Sequence, residues 1–263
     1  MQPKIMFFDI DGTILPIGEK AVRPAVVDAL TNAHEQGVKL FIATGRAPYA
    51  LPDLAGIPFD GAICFNGAYC YDSNGLIHAE PMDHDDIRKV IKNAEKLGFP
   101  VTVATANRRG TNFYQKNLAD YIAFSPVPFT IVEDYDLLQE EAVFQLMVGA
   151  SEEFDELLVK DCPHVKTARW WDRAVDLIPS HWGKARGVEK VLDHYSISPK
   201  EAMAFGDGGN DADMLAFVGT GIALKNASST AKAAADYITD CCEEDGVVSA
   251  LRHFGVTDDR EAQ

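Results

Sequence analysis

Short apolar runs alternate with longer amphipathic stretches along the first part of the chain. Residues 4 to 8, which are apolar after Lys4, predict a buried strand. Residues 24 to 36 predict a helix, because Pro24 suits a helix start, Gly37 suits a helix stop and apolar groups recur near helical spacing between them. Residues 38 to 43 predict a second strand whose nearly continuous apolar character suits burial on both faces. This alternation predicts parallel strands joined by crossover helices.

The pattern changes after Met82. Residues 83 to 97 predict a helix with acidic residues in its first turn, and a second helix is expected near 151 to 160. Predicted strands cover approximately 101 to 105, 128 to 132, 142 to 149, 164 to 169 and 174 to 178. Several connections between these strands are too short for crossover helices, so this block is expected to be a separate α+β unit.

From Trp182 the strand and helix alternation resumes and completes the first pattern. The predicted elements are a helix at 183 to 195, a strand at 202 to 205, a helix at 211 to 218, a strand at 221 to 224 and a last helix near 244 to 253. A sheet that is interrupted and then completed indicates an inserted domain rather than a tandem one. We therefore expect an α/β fold with a Rossmann-like, doubly wound parallel-sheet core formed by residues 1–82 and 182–263, and an inserted α+β cap at 83–181.

The chain is strongly acidic, with 24 lysine and arginine residues against 40 aspartate and glutamate residues and a formal charge of −16. This charge repels nucleic acids and anionic membranes at long range, so neither is expected as a partner. A small anionic substrate requires a metal ion or a few local cations that overcome the general field. The excess of acidic residues therefore leads us to expect a site for a cation.

Cysteine usage and the absence of a long apolar stretch bear on location. The five cysteines form no C-x-x-C pair and are expected to be reduced. No run reaches the roughly 18 consecutive apolar residues of a membrane span, and acidic residues at positions 9 and 11 do not fit a secretion signal. These features predict a cytoplasmic protein.

Two pairs of acidic residues stand immediately after predicted strands. Asp9 and Asp11 follow the first strand, and Asp207 and Asp211 follow the strand at 202 to 205. Ligands of open parallel sheets gather outside the carboxyl ends of the strands, so one crevice is expected to collect all four carboxylates. Either pair by itself would also fit an ordinary turn.

The second strand ends in Thr44, Gly45 and Arg46, which supply a hydroxyl, an accessible amide and a cation in succession. A calcium-binding loop does not explain the first acidic pair, because that pattern is broken at Thr13 and Lys20. The chain also contains no G-x-x-x-x-G-K-[ST], H-E-x-x-H or G-x-S-x-G motif, which removes the common ATPase, zinc protease and serine hydrolase interpretations.

Four segments closely resemble, in the same order, the haloacid dehalogenase-like superfamily of phosphohydrolases. They are "DIDGT" from Asp9, "TGR" from Thr44, Lys184 before a helix, and "GDGGND" from Gly206. The first and last segments are specific, whereas the lysine alone is a weak signal. With "NGA" at Asn66 and the long insertion, the chain looks most like the Cof-type branch, whose large α/β cap (class IIB) is inserted at that place.

The resemblance implies separate roles for the two acids of the first motif. Asp9 would be the nucleophile that forms an aspartyl-phosphate, and Asp11 would protonate the leaving oxygen and later activate water. The implied cofactor is Mg²⁺, and its implied ligands are the Asp9 carboxylate, the Asp11 backbone carbonyl, Asp207 and waters. Asp211 would influence the metal site through these ligands without contacting the ion directly. A cation is physically required, because two anions otherwise repel before they react.

The resemblance also implies a set of groups around the transferring phosphoryl oxygens. These are the backbone near Ile10, the Thr44 hydroxyl, the Gly45 amide, Lys184 and Asn210. Electrostatic stabilisation of this kind must supply most of the rate enhancement, because general acid help contributes only about 10² to 10⁴. Arg186 and Lys190 are the alternatives to Lys184, which is preferred because it stands directly before the resumed helix.

Other residues are candidate contacts to the substrate or to the closed cap, each with a structural alternative. Arg46 would touch the substrate or the closed cap, or it would only pair with a cap acid. Asn66 would likewise touch the substrate or the closed cap, or it would only form a hairpin turn with Gly67. Arg108, Arg109 and Trp170 place cations beside aromatic rings in the insertion, which suits a polyhydroxylated phosphate ester. An exposed loop and a packed aromatic strand are the alternative interpretation.

Three functions fit these observations. The leading one is a Mg²⁺-dependent phosphohydrolase that cleaves small phosphorylated metabolites, sugar phosphates foremost, through an aspartyl-phosphate. A cap that closes over the site would exclude large substrates such as phosphoproteins. A phosphomutase on the same scaffold and a non-catalytic sensor of phosphate and metal are the alternatives. The sequence leaves the individual substrate and the oligomeric state open.

Overall fold

The structure, a computed structural model, describes residues 2–257 apart from the Trp170 side chain. The strands are β1 (Ile5–Phe8), β2 (Lys39–Ala43), β3 (Gly61–Cys64), β4 (Tyr69–Asp72), β5 (Gly75–Ala79), β6 (Val101–Thr105), β7 (Arg109–Thr111), β8 (Val143–Val148), β9 (Val165–Trp171), β10 (Ala174–Pro179), β11 (Ala202–Gly206), β12 (Thr220–Ala223) and β13 (Tyr237–Ile238). The helices are α1 (Pro24–Glu35), α2 (His84–Leu97), α3 (Lys116–Ile122), α4 (Tyr135–Leu138), α5 (Asp155–Leu158), α6 (Lys184–Tyr195), α7 (Ala212–Phe217), α8 (Ser229–Ala234) and α9 (Gly246–His253).

The larger sheet has eight strands in the order β13-β12-β11-β1-β2-β3-β4-β5. Its six strands from β13 to β3 are parallel, and β4 and β5 continue the sheet in antiparallel fashion. Helices α1, α7 and α8 lie in the connections between parallel strands, and α6 leads from the small sheet back to β11. The predicted α/β fold with a parallel-sheet core is therefore confirmed.

Strand β1 explains why the sheet is covered on both faces. Its side chains alternate between two apolar clusters, with Ile5 and Phe7 in the cluster that contains α6 and α7. Met6 and Phe8 belong to the cluster that contains α1 and α9, where the Phe8 ring stacks on Phe205 at 4.8 Å. A strand with two buried faces needs a continuous apolar run, which is what the sequence provides.

The smaller sheet is antiparallel, with the order β7-β6-β8-β10-β9. Val103 and Leu146 on one face pack into the apolar cluster that includes Ile87 of α2. The other face carries buried polar residues, among them Thr102 and Gln145. We call this second face the polar face of the small sheet. The division of the chain into core and cap at residues 82 and 182 stays a prediction.

Helix α2 shows how local sequence sets an element of the small unit. Asp83 caps its first turn by accepting hydrogen bonds from the Asp85 and Asp86 amides at 2.9 and 3.1 Å. Gly98 ends it in the left-handed conformation, with φ +77°, that favours glycine. The predicted helix at 83 to 97 is thereby confirmed almost to the residue.

Two predictions in the insertion were wrong in detail. The strand expected at 128 to 132 is reduced to an isolated bridge between Thr111 and Ile131, and Pro126 and Pro128 lack the amide hydrogens that a sheet needs. The helix expected near 151 to 160 shortens to a 3₁₀ turn and α5.

The hairpin expected at Asn66-Gly67 is confirmed. Strands β3 and β4 pair in antiparallel register, and a 3₁₀ turn at Phe65–Gly67 joins them. Asn66 takes a left-handed conformation there, with φ +53°, which asparagine tolerates better than most residues.

Within residues 2–257, no helix combines the length and the apolar character that crossing a lipid bilayer requires.

Candidate active site

A cavity of about 620 Å³ lies between the carboxyl ends of the parallel strands and the polar face of the small sheet. Asp9, Thr44 and Asp207 line it from the ends of β1, β2 and β11. Arg109 and Gln145 line it from β7 and β8. The strand-end residues singled out in the sequence are therefore brought to one place, and the insertion covers them.

A buried lysine connects two of the predicted carboxylates. Lys184 begins α6 and is fully buried, and its Nζ donates to Asp9 Oδ1 at 2.6 Å and to Asp211 Oδ1 at 2.5 Å. Burial alone lowers the pKa of Lys184, but the adjacent Asp211 and Asp9 carboxylates outweigh it and raise the pKa above the ordinary lysine value. The lysine therefore stays charged beside Asp9.

One lysine does not balance the carboxylates around it. Burial raises the pKa of Asp9 well above its ordinary value; Lys184 counteracts this effect, and the neighbouring Asp211, Asp207 and Asp11 reinforce it. Burial, followed by Asp211, raises the pKa of Asp207 to about 7. The site thus carries an excess of negative charge that a further cation would relieve.

Three carboxylates converge at one place where such a cation would bind. Ligand atoms of Asp9, Asp207 and Asp211 all lie within 4.8 Å of one another. The hydrogen bonds made by the carboxylates of Asp9 and Asp207 use their Oδ1 atoms, from Lys184 and from the Thr13 hydroxyl at 2.7 Å. An all-oxygen donor set of this kind fits a hard divalent ion such as Mg²⁺.

Asp211 has both carboxylate oxygens engaged within the protein. Its Oδ1 accepts from Lys184, and its Oδ2 accepts from the Asp207 and Gly208 amides at 2.9 and 2.7 Å. It thereby holds the loop after β11 in the shape that points Asp207 at the cavity.

Gly12 allows the loops after β1 and β11 to approach each other. It has φ +88°, and a Cβ atom placed there would overlap the Asp207 carboxylate. Both the conformation and the close approach require glycine at this position.

The Asp11 carboxylate lies apart from the other three and faces Arg46. Arg46 donates from Nε and from one terminal nitrogen to the two Asp11 oxygens, both at 2.8 Å. The same guanidinium donates to the Phe124 carbonyl at 2.9 Å, so it links the end of β2 to the insertion. The expected participation of the Asp11 backbone carbonyl in metal binding stays a prediction.

The remaining residues of the predicted phosphate cradle sit around the same end of the sheet. The Thr44 hydroxyl accepts from the Arg46 amide at 3.2 Å, and Gly45 lines the cavity. Asn210 also lines it and donates to Asn66 Oδ1 at 2.9 Å. The Ile10 side chain is fully buried behind them.

The two candidate arginines of the insertion have different surroundings in the structure. Arg109 lines the cavity, whereas Arg108 is not among the lining residues and pairs with Asp134 and Glu141. Arg108 therefore serves the insertion itself, which favours the structural alternative for this residue. The Trp170 side chain lies outside the described part of the chain.

The sequence interpretation missed Asn226 and Ser228, which follow β12 and also line the cavity. Asn226 donates to the Gly12 carbonyl at 2.9 Å and so ties the loop after β12 to the loop after β1. The strand-end rule that found Asp9 and Asp207 applies equally to β12 and would have found both residues. Tyr49, Gln145 and Asp176 were also missed, and no motif marks them.

Known proteins are similar in sequence to nearly the full length of this chain. The family model described as haloacid dehalogenase-like hydrolase matches residues 6–251. YkrA of Bacillus subtilis is 30% identical over 258 residues, which cover 97% of this chain and 99% of YkrA. The 5-amino-6-(5-phospho-D-ribitylamino)uracil phosphatase YcsE of Bacillus subtilis is 28% identical over 254 residues, covering 95% of each chain.

Solved structures agree in fold over the whole chain. A subclass IIB sugar phosphatase of the superfamily has a TM-score of 0.89 at 30% identity, with 97% of this chain and 100% of that chain covered. A phosphatase from Bacteroides thetaiotaomicron has a TM-score of 0.89 at 31% identity, with 97% and 96% covered. The protein therefore belongs to the haloacid dehalogenase-like hydrolase family, and it is a phosphatase of the Cof-type branch.

Proposed function

We propose that the protein is a Mg²⁺-dependent phosphohydrolase that cleaves small phosphate esters through an aspartyl-phosphate on Asp9. The observation that carries the proposal is the position of Asp9, which lines the cavity within 2.6 Å of Lys184 and beside Asp207 and Asp211. Asp9 is then the nucleophile of this site.

The donor set fits Mg²⁺, with Asp9 and Asp207 as the carboxylates that would hold it and Asp211 as the residue that positions Asp207. When bound, the ion supplies positive charge that lets an anionic nucleophile approach an anionic phosphate. Lys184 adds a fixed charge from the protein and holds one Asp9 oxygen, which leaves the other free to point at the cavity.

In the first chemical step, an Asp9 oxygen forms a bond to phosphorus while the bond between phosphorus and the leaving oxygen breaks. Asp11 in its protonated form gives the leaving oxygen its proton. In the second step, a water oxygen attacks the aspartyl-phosphate and passes a proton to Asp11, which releases inorganic phosphate and restores the Asp9 carboxylate. Arg46 donates to both Asp11 oxygens in this structure, so it has to release one of them for that oxygen to carry the proton to the leaving group.

The cavity supports small substrates. Its volume of about 620 Å³ lies in the ordinary range for small-molecule sites, and the insertion covers it. Two similar proteins are phosphatases of small phosphate esters. One is a sugar phosphatase, and the other is a 5-amino-6-(5-phospho-D-ribitylamino)uracil phosphatase. Thr44, Gly45 and Asn210 are the proposed contacts to the phosphoryl oxygens.

The proposal is tested with Asp9→Asn, assayed for phosphate release from a panel of phosphorylated metabolites with and without Mg²⁺. We expect a loss of at least about 10³-fold in kcat, because the amide cannot form the covalent intermediate. Asp53→Asn is the matched control, since Asp53 is exposed and the substitution removes the same charge. Equal activity of Asp9→Asn and the control would contradict the proposal.

The same assay separates the alternatives. A phosphomutase would need a bisphosphate activator and would return the phosphoryl group to substrate, so phosphate release without an activator excludes it. A sensor without turnover would bind phosphate esters but release no phosphate under any metal condition.

A further inference from the structure

Arg109 is a cation in the cavity without a charged partner among the described residues. It lies on β7, lines the cavity and donates to the Val127 carbonyl, and its Nε atom is buried without a hydrogen-bond partner. The other cavity arginines differ in this respect, since Arg46 pairs with Asp11 and Arg169 pairs with Asp155. A ligand anion would supply the missing partner of Arg109.

A buried guanidinium without a counter-charge is costly, because it loses its water shell and gains no ion pair in return. Burial lowers the pKa of Arg109, in the direction expected for such a group. No described carboxylate reduces this cost, so the positive charge is available to a molecule bound in the cavity.

Tyr49 adds a second unused polar group. It lies in the short turn after β2, lines the cavity, and has a buried hydroxyl without a hydrogen-bond partner. Tyr49 and Arg109 line the same cavity, so one ligand can contact both groups there. A phenolic hydroxyl beside a guanidinium can donate to the oxygens of a carboxylate or a phosphate.

Gln145 supplies an acceptor on the same face of the small sheet. Arg109 and Gln145 are both in register with Ala104, which stands between them on β6. Two strand spacings separate their backbones by roughly 9 to 10 Å, and the small Ala104 side chain leaves space between them. The Gln145 Oε1 atom is buried and has no partner, so it can accept from a ligand hydroxyl.

We propose that Arg109 and Tyr49 bind a second anionic group, a carboxylate or a phosphate, on the leaving portion of the substrate. Gln145 accepts a hydrogen bond from a hydroxyl between that group and the phosphoryl end. This inference rests on the proposed function in one respect, that the other end of the same molecule lies at Asp9. The preferred substrates are thus hydroxylated phosphate esters that carry a second anionic group.

The test uses pairs of ligands that differ only, or mainly, in whether the second anionic group is present. The carboxylate pair is 6-phosphogluconate and sorbitol 6-phosphate, and the phosphate pair is fructose 1,6-bisphosphate and fructose 6-phosphate. Binding is measured by calorimetry on the full-length Asp9→Asn protein with Mg²⁺, so that turnover is not needed for the readout. In at least one pair, we expect the member with the second anionic group to bind about 10 to 100 times more tightly. The pair with the larger ratio identifies the anion.

Variants at Arg109 assign the preference to this residue. In the Asp9→Asn background, Arg109→Gln should reduce the ratio to about threefold or less, and Arg109→Lys should restore part of it because the charge returns. Arg88→Gln is the control, since it removes an arginine that lies on α2 and is half exposed and paired with Asp85 and Glu140. This control should keep the full ratio.

Equal binding within both pairs would overturn the inference, and so would a ratio that survives in Arg109→Gln. The comparison within each ligand pair needs no variant at Arg109. The inference can therefore be contradicted even if Arg109→Gln fails to fold. If the ratio is found but the protein with Asp9 intact releases no phosphate from any ligand, then the binding inference stands and the proposed function fails.

Discussion

Lys184 shows how one side chain organises the chemistry of the site. A fully buried lysine is stable only when carboxylates replace the water it has lost, and Asp9 and Asp211 do so at 2.6 and 2.5 Å. The same contacts orient the proposed nucleophile. Because Asp207 adds a further carboxylate nearby, the cluster keeps a net negative charge and favours a divalent cation.

Gly12 offers a test of steric control at the residue scale. Gly12→Ala introduces both an unfavourable backbone conformation and an overlap with Asp207. Gly18→Ala is a matched control, because Gly18 has the same φ of +88° and open space around its Cβ position. Both variants should lose about 1–2 kcal/mol of unfolding free energy from the left-handed conformation.

Only Gly12→Ala should also lose phosphatase activity, by about tenfold or more, because it displaces a proposed metal ligand. Urea unfolding and Mg²⁺-dependent kinetics measure the two effects separately. If both alanine variants retain the same activity, the close approach of Gly12 to Asp207 is not important for catalysis.

Among the elements, strand β1 leads into the proposed nucleophile, Asp9, and its position matters as much as its sequence. It lies between β11 and β2, so the loops that follow these three strands meet at one edge of the sheet. Asp207 and Thr44 come from those neighbouring loops. The order of the strands therefore brings together residues that are about 200 positions apart in the chain.

Strand β10 of the small sheet carries Asp176, whose charge depends on pH. Burial raises its pKa to about 7, while hydrogen bonds from Tyr121, at 2.7 Å, and from Gln145 act in the opposite direction. An unfolded aspartate has a pKa of about 4, so the folded state binds more protons between these values. Its contribution to stability is therefore full below pH 4 and is lost as pH rises towards 7.

Asp176→Asn removes this proton uptake and keeps a side chain of similar shape. Relative to the unmodified protein, the variant should gain unfolding free energy as pH rises from 4 to 7, by up to about 1.4 kcal/mol per pH unit. Urea unfolding at several pH values measures this difference. Parallel stability curves for the two proteins would show that Asp176 is ionised in the folded state at low pH.

At the scale of the whole molecule, the formal charge of −16 contrasts with the cations gathered at the cavity. Arg46, Arg109 and Arg169 all line it, together with the buried Lys184 behind Asp9. The surface field repels a phosphate ester at long range, whereas these groups and a divalent ion attract it at short range. Binding of an anionic substrate thus depends on charges concentrated in one cleft.

Metal binding should be visible in the stability of the entire chain. Mg²⁺ that binds only the folded state raises the unfolding free energy by about 2.7 kcal/mol at a concentration 100 times its Kd. The melting temperature should then rise by several degrees over a sample in chelator. Asp207→Asn should abolish most of the shift, and the exposed Asp53→Asn should preserve it. An unchanged shift in Asp207→Asn would place the metal elsewhere.

Most of the local elements and the strand ends of the large sheet could be predicted from the sequence. The apolar run before Asp9 specifies a strand with two buried faces, and the Asp83 cap and Gly98 specify helix α2, because these signals act over a few residues. The motifs at Asp9, Thr44 and Asp207 likewise indicated which loops meet at the cavity. These features need no knowledge of distant parts of the chain.

Only the tertiary structure decided which side chains face the cavity from the insertion. Arg108 and Arg109 are adjacent in sequence, yet one pairs with acids of the insertion and the other lines the cavity. Arg108 precedes β7, whereas Arg109 begins it and pairs in register with Ala104 of β6, which also pairs with Gln145 of β8. This register sets Arg109 and Gln145 on the same face of the small sheet. The roles proposed for Tyr49 and Gln145 could not be predicted from the sequence, since burial of a polar group without a partner is a property of the folded chain.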